Sequence, residues 1–308
     1  MVDFAKLKAA RGKNSLETLT QEITKLNAKA DSVKDARFWY PNVDKVGNGY
    51  AVIRFLPAPG DEPVPFVRLW EHGFKGPTGQ WYIENSRTTL GAGTPDPVSD
   101  LNNKLWNMST DDSSETRKQA RAQKRNLHYI ANIFVIEDKA NPENNGKHFL
   151  FKFGKKVFDK INEAMNPQFG DERPINPFDL WEGANFKLKI RNVEGYRNYD
   201  KSEFASPSPL FDNDDDMEAL WKHEYSLQAF LAESNFKSYD ELKKRLDLVL
   251  GETTQGKVNT ARKKAAEPAD VDDEIPWHDT PKAKAAPAAS VTDDDDEDME
   301  FFKNLSRD

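Results

Sequence analysis

The sequence predicts a mainly β fold with peripheral helices (α+β), a small barrel or sandwich with helical additions, followed by a disordered acidic tail. Three observations predict it. Short aromatic and β-branched runs, separated by Gly, Pro or Asn, recur from residue 51 to residue 193. Helical periodicity is confined to a few short stretches. After Gly251 the composition shifts to Ala, Pro, Lys and Thr, too poor in apolar residues to hold a core.

Taken in order, the first thirty residues read as a basic arm leading into a helix. Lys6, Lys8, Arg11 and Lys13 precede Asn14, an N-cap candidate with Glu17 three residues on. Leu16, Leu19, Ile23 and Leu26 form an apolar stripe that docks on the body or on another protomer. AVIRFLP (51–57), PFVRLWE (65–71) and QWYIEN (80–85) are short strands; HYIANIFVIED (128–138), KHFLFKFG (147–154) and NFKLKIRNVEG are longer ones. KKVFDKINEAM (155–165) is a helix with Val157, Phe158, Ile161 and Met165 on one side. Ser238 and Glu241 make a capping box for a last helix ending at Gly251. Stretches 86–107 and 200–216 read as irregular. The resulting division is an arm (1–30), a core (31–251), a linker (252–292) interrupted by DEIPWHD (273–279), and an acidic tail (293–308).

The 308 residues contain no cysteine, which excludes disulfides, thiolate metal sites and a Cys nucleophile. The N-terminus lacks the apolar stretch of a signal peptide and no run approaches a membrane span, so a soluble intracellular protein is expected. The net charge of −8 is uneven. Of 52 acidic and 44 basic residues, 14 and 4 lie in 267–308, leaving 38 and 40 in the rest. An acidic tail on a neutral body points to nucleic-acid or partner contacts.

Three stretches repeat one pattern, clustered cations beside aromatics. In NFKLKIRNVEGYRNY, Lys187, Lys189 and Arg191 share one strand face while Phe186, Leu188 and Ile190 share the other, and Tyr196 and Tyr199 follow. Alone, such a row also suits a solvated edge. RKQARAQKRNLHY carries Arg117, Lys118, Arg121, Lys124 and Arg125 before Tyr129, and KHFLFKFGKK places Lys147, Lys152, Lys155 and Lys156 around Phe149, Phe151 and Phe153. Cations that follow phosphates and rings that stack bases suit a single strand. No phosphate-cradling glycine motif or paired metal-binding histidines occur. A metal-dependent nuclease using the DNDDD run at 212–216 is the first rival, and a scaffold with incidental basic strands the second.

The order GNGYAVIRFLP, EHGF…QWYIE, YIANIFVIEDKANPENNGKHFLFKFGKKVFDKIN and WEGANFKLKI…GYRNYD resembles the single-stranded-DNA-binding (helix-destabilising) proteins of T-even-like tailed bacteriophages, across roughly 45–200. The resemblance implies an OB-fold, five-stranded barrel core whose cationic cleft holds single-stranded DNA without enzymatic activity. It also implies a host-cytoplasmic role in phage replication, recombination and repair. By matching position, DNA contacts are expected at Arg54, Trp81, Tyr82, Lys124, Arg125, Tyr129, Phe151, Tyr196 and Tyr199. The charge pattern adds Lys152, Lys155, Lys156, Lys187, Lys189 and Arg191. The arm, with Arg11, Lys13, Leu16, Leu19 and Ile23, is expected to join neighbouring copies for cooperative binding. The tail, with Asp293, Asp294, Asp295, Asp296, Phe301 and Phe302, is expected to compete with DNA and to recruit a polymerase, a helicase loader and a recombinase. Two departures stand out. The family's basic-and-hydroxyl cluster survives only as RGKNS and KRNLH. Family members hold a zinc with one His and three Cys, whereas here only His72 matches and Asn85 and its followers replace the thiolates; one imidazole does not make a tetrahedral site, so no zinc or other cofactor is expected.

Overall fold

A computed structural model describes residues 35–252. The chain divides after Phe38 into two units, and of the first only Asp35–Phe38 is described, a turn in which the Asp35 carboxylate accepts hydrogen bonds from Arg37. The expected arm residues, the linker and the tail residues lie outside the described residues.

The second unit carries β1 (Gly49–Phe55), β2 (Phe66–Lys75), β3 (Trp81–Asn85), α1 (Pro97–Asn107), α2 (Glu115–Ala122), β4 (Arg125–Asp138), β5 (His148–Gly154), α3 (Lys155–Met165), β6 (Phe186–Val193), β7 (Tyr196–Asn198), β8 (Glu203–Phe204), α4 (Asp214–Lys222) and α5 (Tyr239–Leu250). It is a mainly β, α+β architecture: eight strands in one sheet, with five α-helices among the described residues. Every ladder is antiparallel, in the order β3-β2-β4-β1-β6-β7, with β5 on β4 and β8 on β6. The length of β4 makes this possible. Its first half (125–131) pairs with β2 and its second half (133–138) with β1, while β5 takes 128–134. The β6–β7 hairpin turns through Glu194 (φ 56°) and Gly195 (φ 95°), the left-handed pair that a two-residue hairpin of this twist requires.

Strand alternation builds the main core on one face. Ala51, Ile53 and Phe55 of β1, Tyr129, Ala131, Ile133 and Val135 of β4, Phe151 and Phe153 of β5, and Phe186, Leu188 and Ile190 of β6 all enter it. α3 closes it with Val157 and Ile161. A second cluster joins Phe74, Tyr82, Val98, Leu242, Leu246 and Val249, fastening α1 and α5 to the β2–β3 hairpin. At Gly76 in that hairpin a Cβ would stand 2.3 Å from the Val249 carbonyl oxygen, so only glycine allows this approach.

α3 and α5 sit where the sequence places them. The Ser238–Glu241 capping box is complete, and Gly251 ends α5 in the left-handed conformation (φ 79°). The two stretches read as irregular are a correction. Asp96 caps α1 by accepting from the Val98 and Ser99 amides, with Pro97 at the first helical position. Asn213 caps α4 and Asp214, Asp215 and Asp216 occupy its first turn, where carboxylates favour the helix dipole. No helix among the described residues is long and apolar enough to cross a membrane.

Candidate nucleic-acid interface

Five of the expected DNA contacts lie inside the protein, which corrects the expectation of an exposed trough lined by them. Tyr129, Phe151 and Tyr199 belong to the main core. The Tyr129 ring stacks on Phe158 at 4.0 Å and 3°, and on Phe153 at 5.7 Å. Phe151 meets Trp39 edge-on at 5.2 Å. Tyr82 is buried in the second cluster, stacked on Phe74, and burial raises its phenol above the ordinary range. Arg54 points away from the main core and is fully buried. Its Nη2 donates to the carbonyls of Ser208 (2.7 Å) and Asp179 (3.1 Å), and burial lowers its pKa. It braces the 179–208 segment against β1 and presents nothing to a ligand. Arg54, Tyr129 and Phe151 lie on β1, β4 and β5, both of whose faces are covered, so either direction of the strand pleat buries them; Tyr82 is covered by α1 and α5, and Tyr199 is buried just past the end of β7.

The remaining candidates lie in a row on β6, at separate positions on β3, β5, β7 and α3, and on the β2–β4 strip. Lys187 and Lys189 are half-buried and Arg191 exposed, on the face opposite Phe186, Leu188 and Ile190. Cross-strand, Lys187 pairs with Val52 and Lys189 with Tyr50, and Lys139 Nζ lies 5.2 Å from the Tyr50 ring centroid. Part of that charge is neutralised, since Lys189 Nζ donates to Glu203 at 2.8 Å. Tyr196 is half-buried on β7. Lys155 pairs with Asp159 at 3.3 Å one helical turn on, and Lys156 is half-buried. Lys152 is ion-paired with Glu71, whose other contact is His128 Nδ1 at 2.9 Å. Trp81 is exposed on β3.

The last of these is the β2–β4 strip. Arg68 and Trp70 alternate with buried Val67 and Leu69, and Arg68 is exposed. Their β4 partners are Tyr129 and Leu127, so they extend the core-side face outward beyond Phe66. Arg125, half-buried like the neighbouring Lys124, lays its guanidinium 4.1 Å from the Trp70 ring centroid and donates from Nη1 to Thr88 Oγ1 at 2.6 Å. Arg117 and Arg121 meet Trp106 at 4.3 and 5.5 Å and both pair with Asp112, so part of that basic run fastens α2 to α1. Arg68 and Trp70 were not among the expected contacts, although the pattern of cations beside aromatics is present in VRLW itself.

His72 is buried between these parts. Its Nδ1–H donates to the Gln123 carbonyl at 3.0 Å, and Nε2 lies 3.2 Å from Asp96 Oδ1. The Gln123 carbonyl also accepts from Asn102 Nδ2, and Asp96 Oδ2 accepts from the Ser86 hydroxyl and the Arg87 amide. Burial alone would raise the Asp96 carboxyl, but His72 and the backbone donors hold it well below the usual carboxylate range. With both ring nitrogens engaged, and Asn85 donating instead to the Asn235 carbonyl, these residues do not fit a tetrahedral zinc. Among the described residues no three His, Cys, Asp or Glu side chains are grouped to hold a metal ion, the 212–216 aspartates included.

A family model described as gp32 DNA binding protein like matches residues 47–250. The single-stranded DNA-binding protein of Enterobacteria phage T4 is 39% identical over 264 residues, 84% of this chain and 85% of the relative. That of Enterobacteria phage T2 is 39% identical over 265 residues with the same coverage. That of Escherichia phage SV14 is 44% identical over 81 residues, 26% of this chain and 71% of the relative.

Proposed function

Because this chain belongs to the gp32-like family of DNA-binding proteins, we propose that it coats single-stranded DNA, without strong sequence preference, in the cytoplasm of a phage-infected bacterium. The observation that carries this reading is the 39% identity, over 84% of the chain, to a protein named for single-stranded DNA binding. The exposed Arg68 beside the Arg125–Trp70 stack supports it chemically, since cations neutralise phosphates and rings and guanidinium planes stack bases. The long strands β1, β2, β4, β5 and β6 are read as an OB-type barrel, with β3, β7 and β8 as additions. Its roles are replication, recombination and repair: a ligand that binds only the unpaired form pulls a duplex open by mass action. The arm at 1–30 joins neighbouring copies for cooperative coating, and the tail at 293–308 recruits replication and recombination proteins. The protein acts without a metal: His72, which matches the family's zinc histidine, contacts Asp96 instead.

The reading is non-enzymatic. The aspartates that motivate a nuclease are accounted for by the capping of α4. Oligo-dT should quench the tryptophan and tyrosine fluorescence of the full chain, duplex DNA should not, and DNA incubated with Mg²⁺ should stay intact. Equal response to duplex, or no response to either, overturns coating. Cleavage lost in the D214N/D215N/D216N variant would establish the nuclease instead.

A further inference from the structure

We propose that Arg68, Trp70 and Arg125 form one phosphate-holding station for an unpaired strand, in which Trp70 is a positioning residue that fixes the plane of the Arg125 guanidinium. This rests on the single-stranded-DNA reading above and names where on the β2–β4 face one piece of the strand is gripped.

The strand pleat makes the station. On β2, Arg68 and Trp70 are two residues apart and point the same way, about 6.6 Å apart along the strand. Arg125 lies on neighbouring β4, opposite His72 and thus diagonal to Trp70. Its side chain is held on two sides, and one of those partners is itself braced. The Trp70 ring lies beneath the guanidinium at 4.1 Å, Thr88 Oγ1 accepts from Nη1 at 2.6 Å, and Thr88 is itself fixed through the Ser86 hydroxyl at 2.9 Å. The turn bearing these threonines is tied to the same strand, because Thr89 Oγ1 accepts from the Trp70 amide at 2.9 Å. A guanidinium held over a ring and by Thr88 keeps its fork edge in a set direction, and a planar fork matches phosphate geometry. The ordering that binding would otherwise demand of a long side chain is already in place.

The local charge favours an anion. Glu71, the acid inserted between Trp70 and His72, alternates to the other face, where Lys152 and His128 hold it. Asp96 is enclosed by His72, two amides of α1, Ser86 and Arg87, and Glu84, across from His72 on β3, is ion-paired with Lys237. Arg68 is left exposed on the strip and makes no ion pair among the described residues. A stack that served packing alone would account for Trp70 and Arg125 but not for a second, exposed arginine two residues away on the same face.

The test measures binding of labelled oligo-dT to the full chain across a salt series, for wild type and for R68Q, R125Q, R125K, W70L, W70F and the W70L/R125Q double variant, with thermal melts as a folding control. R68Q and R125Q should each make the log-affinity against log-salt slope shallower by about 0.7, one phosphate's share on a single strand. R125K should keep the slope while losing affinity several-fold, because it keeps the charge and loses the fork. W70L should lose about tenfold in affinity with a shallower slope, W70F should retain most of both, and the double variant should bind no worse than R125Q. Wild-type slopes in R68Q and W70L overturn the station, and additive losses in the double variant overturn the positioning role of Trp70. If W70L does not fold, R68Q and R125K decide. A wild-type chain that ignores oligo-dT would sink the parent reading, whereas wild-type binding with indifferent variants sinks only this station.

Discussion

Two half-buried glutamates titrate in opposite directions because one has ionic partners and the other has no hydrogen-bond partner among the described residues. Burial alone would raise Glu71, but the Lys152 ammonium and His128 more than offset it and hold its carboxyl down at about 2, against an ordinary 4.5. Its contribution to stability is therefore present above pH 4.5 and lost as pH falls through 2. Glu224 has no hydrogen-bond partner at either oxygen among the described residues, and burial, with Glu62 nearby, pushes it up to about 9. Its protonated form is the one the fold favours, so this contribution is full below 4.5 and lost as pH rises towards 9. In urea titrations at stepped pH, E71Q should be less stable than wild type at pH 7 and converge with it near pH 2. E224Q should match wild type at pH 4 and exceed it at pH 8. An E71Q profile that parallels wild type through the acid range, or an E224Q variant no more stable at pH 8, would contradict these assignments. At this scale the sequence was legible only in part. FKLKI alternates as read, yet Arg54, Tyr82, Tyr129 and Phe151 are covered, because a residue's neighbours in sequence do not say which of its strand's two faces is covered, and Tyr199 is buried just past the end of β7.

The β2–β3 hairpin, α1, α2 and α5 are held together by one polar hub and one apolar seam. Asp96 and His72 form the hub, tying the ends of β3 and α2 to the start of α1. D96N keeps the shape but turns a donor towards groups that are themselves donors, so it should cost on the order of 2–4 kcal/mol in chemical denaturation. A zinc chelator should change neither the stability nor the oligo-dT binding of the wild-type chain. Chelator-sensitive unfolding, or a neutral D96N, would show that something other than this hub holds the region. The seam depends on α5, whose Ser238 cap accepts from the Glu241 amide. S238A should cost about 1 kcal/mol, and an unchanged midpoint would count against the cap. Of these elements, α5 was plain from its capping box and Gly251, and α3 from its periodic apolar residues. α1 and α4 carried equally good signals, Asp96 before Pro97 and Asn213 before three acids, but turn-like Gly, Pro and Asp residues around them masked the weak apolar periodicity.

At the scale of the molecule, the charge asymmetry was legible in composition and the motif order in the sequence, and the family match over 47–250 agrees with the motif order. The assembly of the basic stretches was not legible. Lys187 and Lys189 lie across from Tyr50 and Val52, on the side of the sheet away from the main core, while Arg68 and Trp70 extend the core side of β2, so the two cationic places do not share one wall. Only strand register decides that, and register depends on long-range pairing such as the shared edge of β4. Removing 267–308 takes away 14 acidic and 4 basic residues and should tighten DNA binding, if the acidic end competes with phosphates for these cations. The most direct single measurement is the equilibrium affinity of the full chain for oligo-dT from low to moderate salt. A log–log decline of about 0.7 per phosphate neutralised, with several phosphates involved, is the predicted result. An affinity that stays flat across that range would contradict a cation-held single strand.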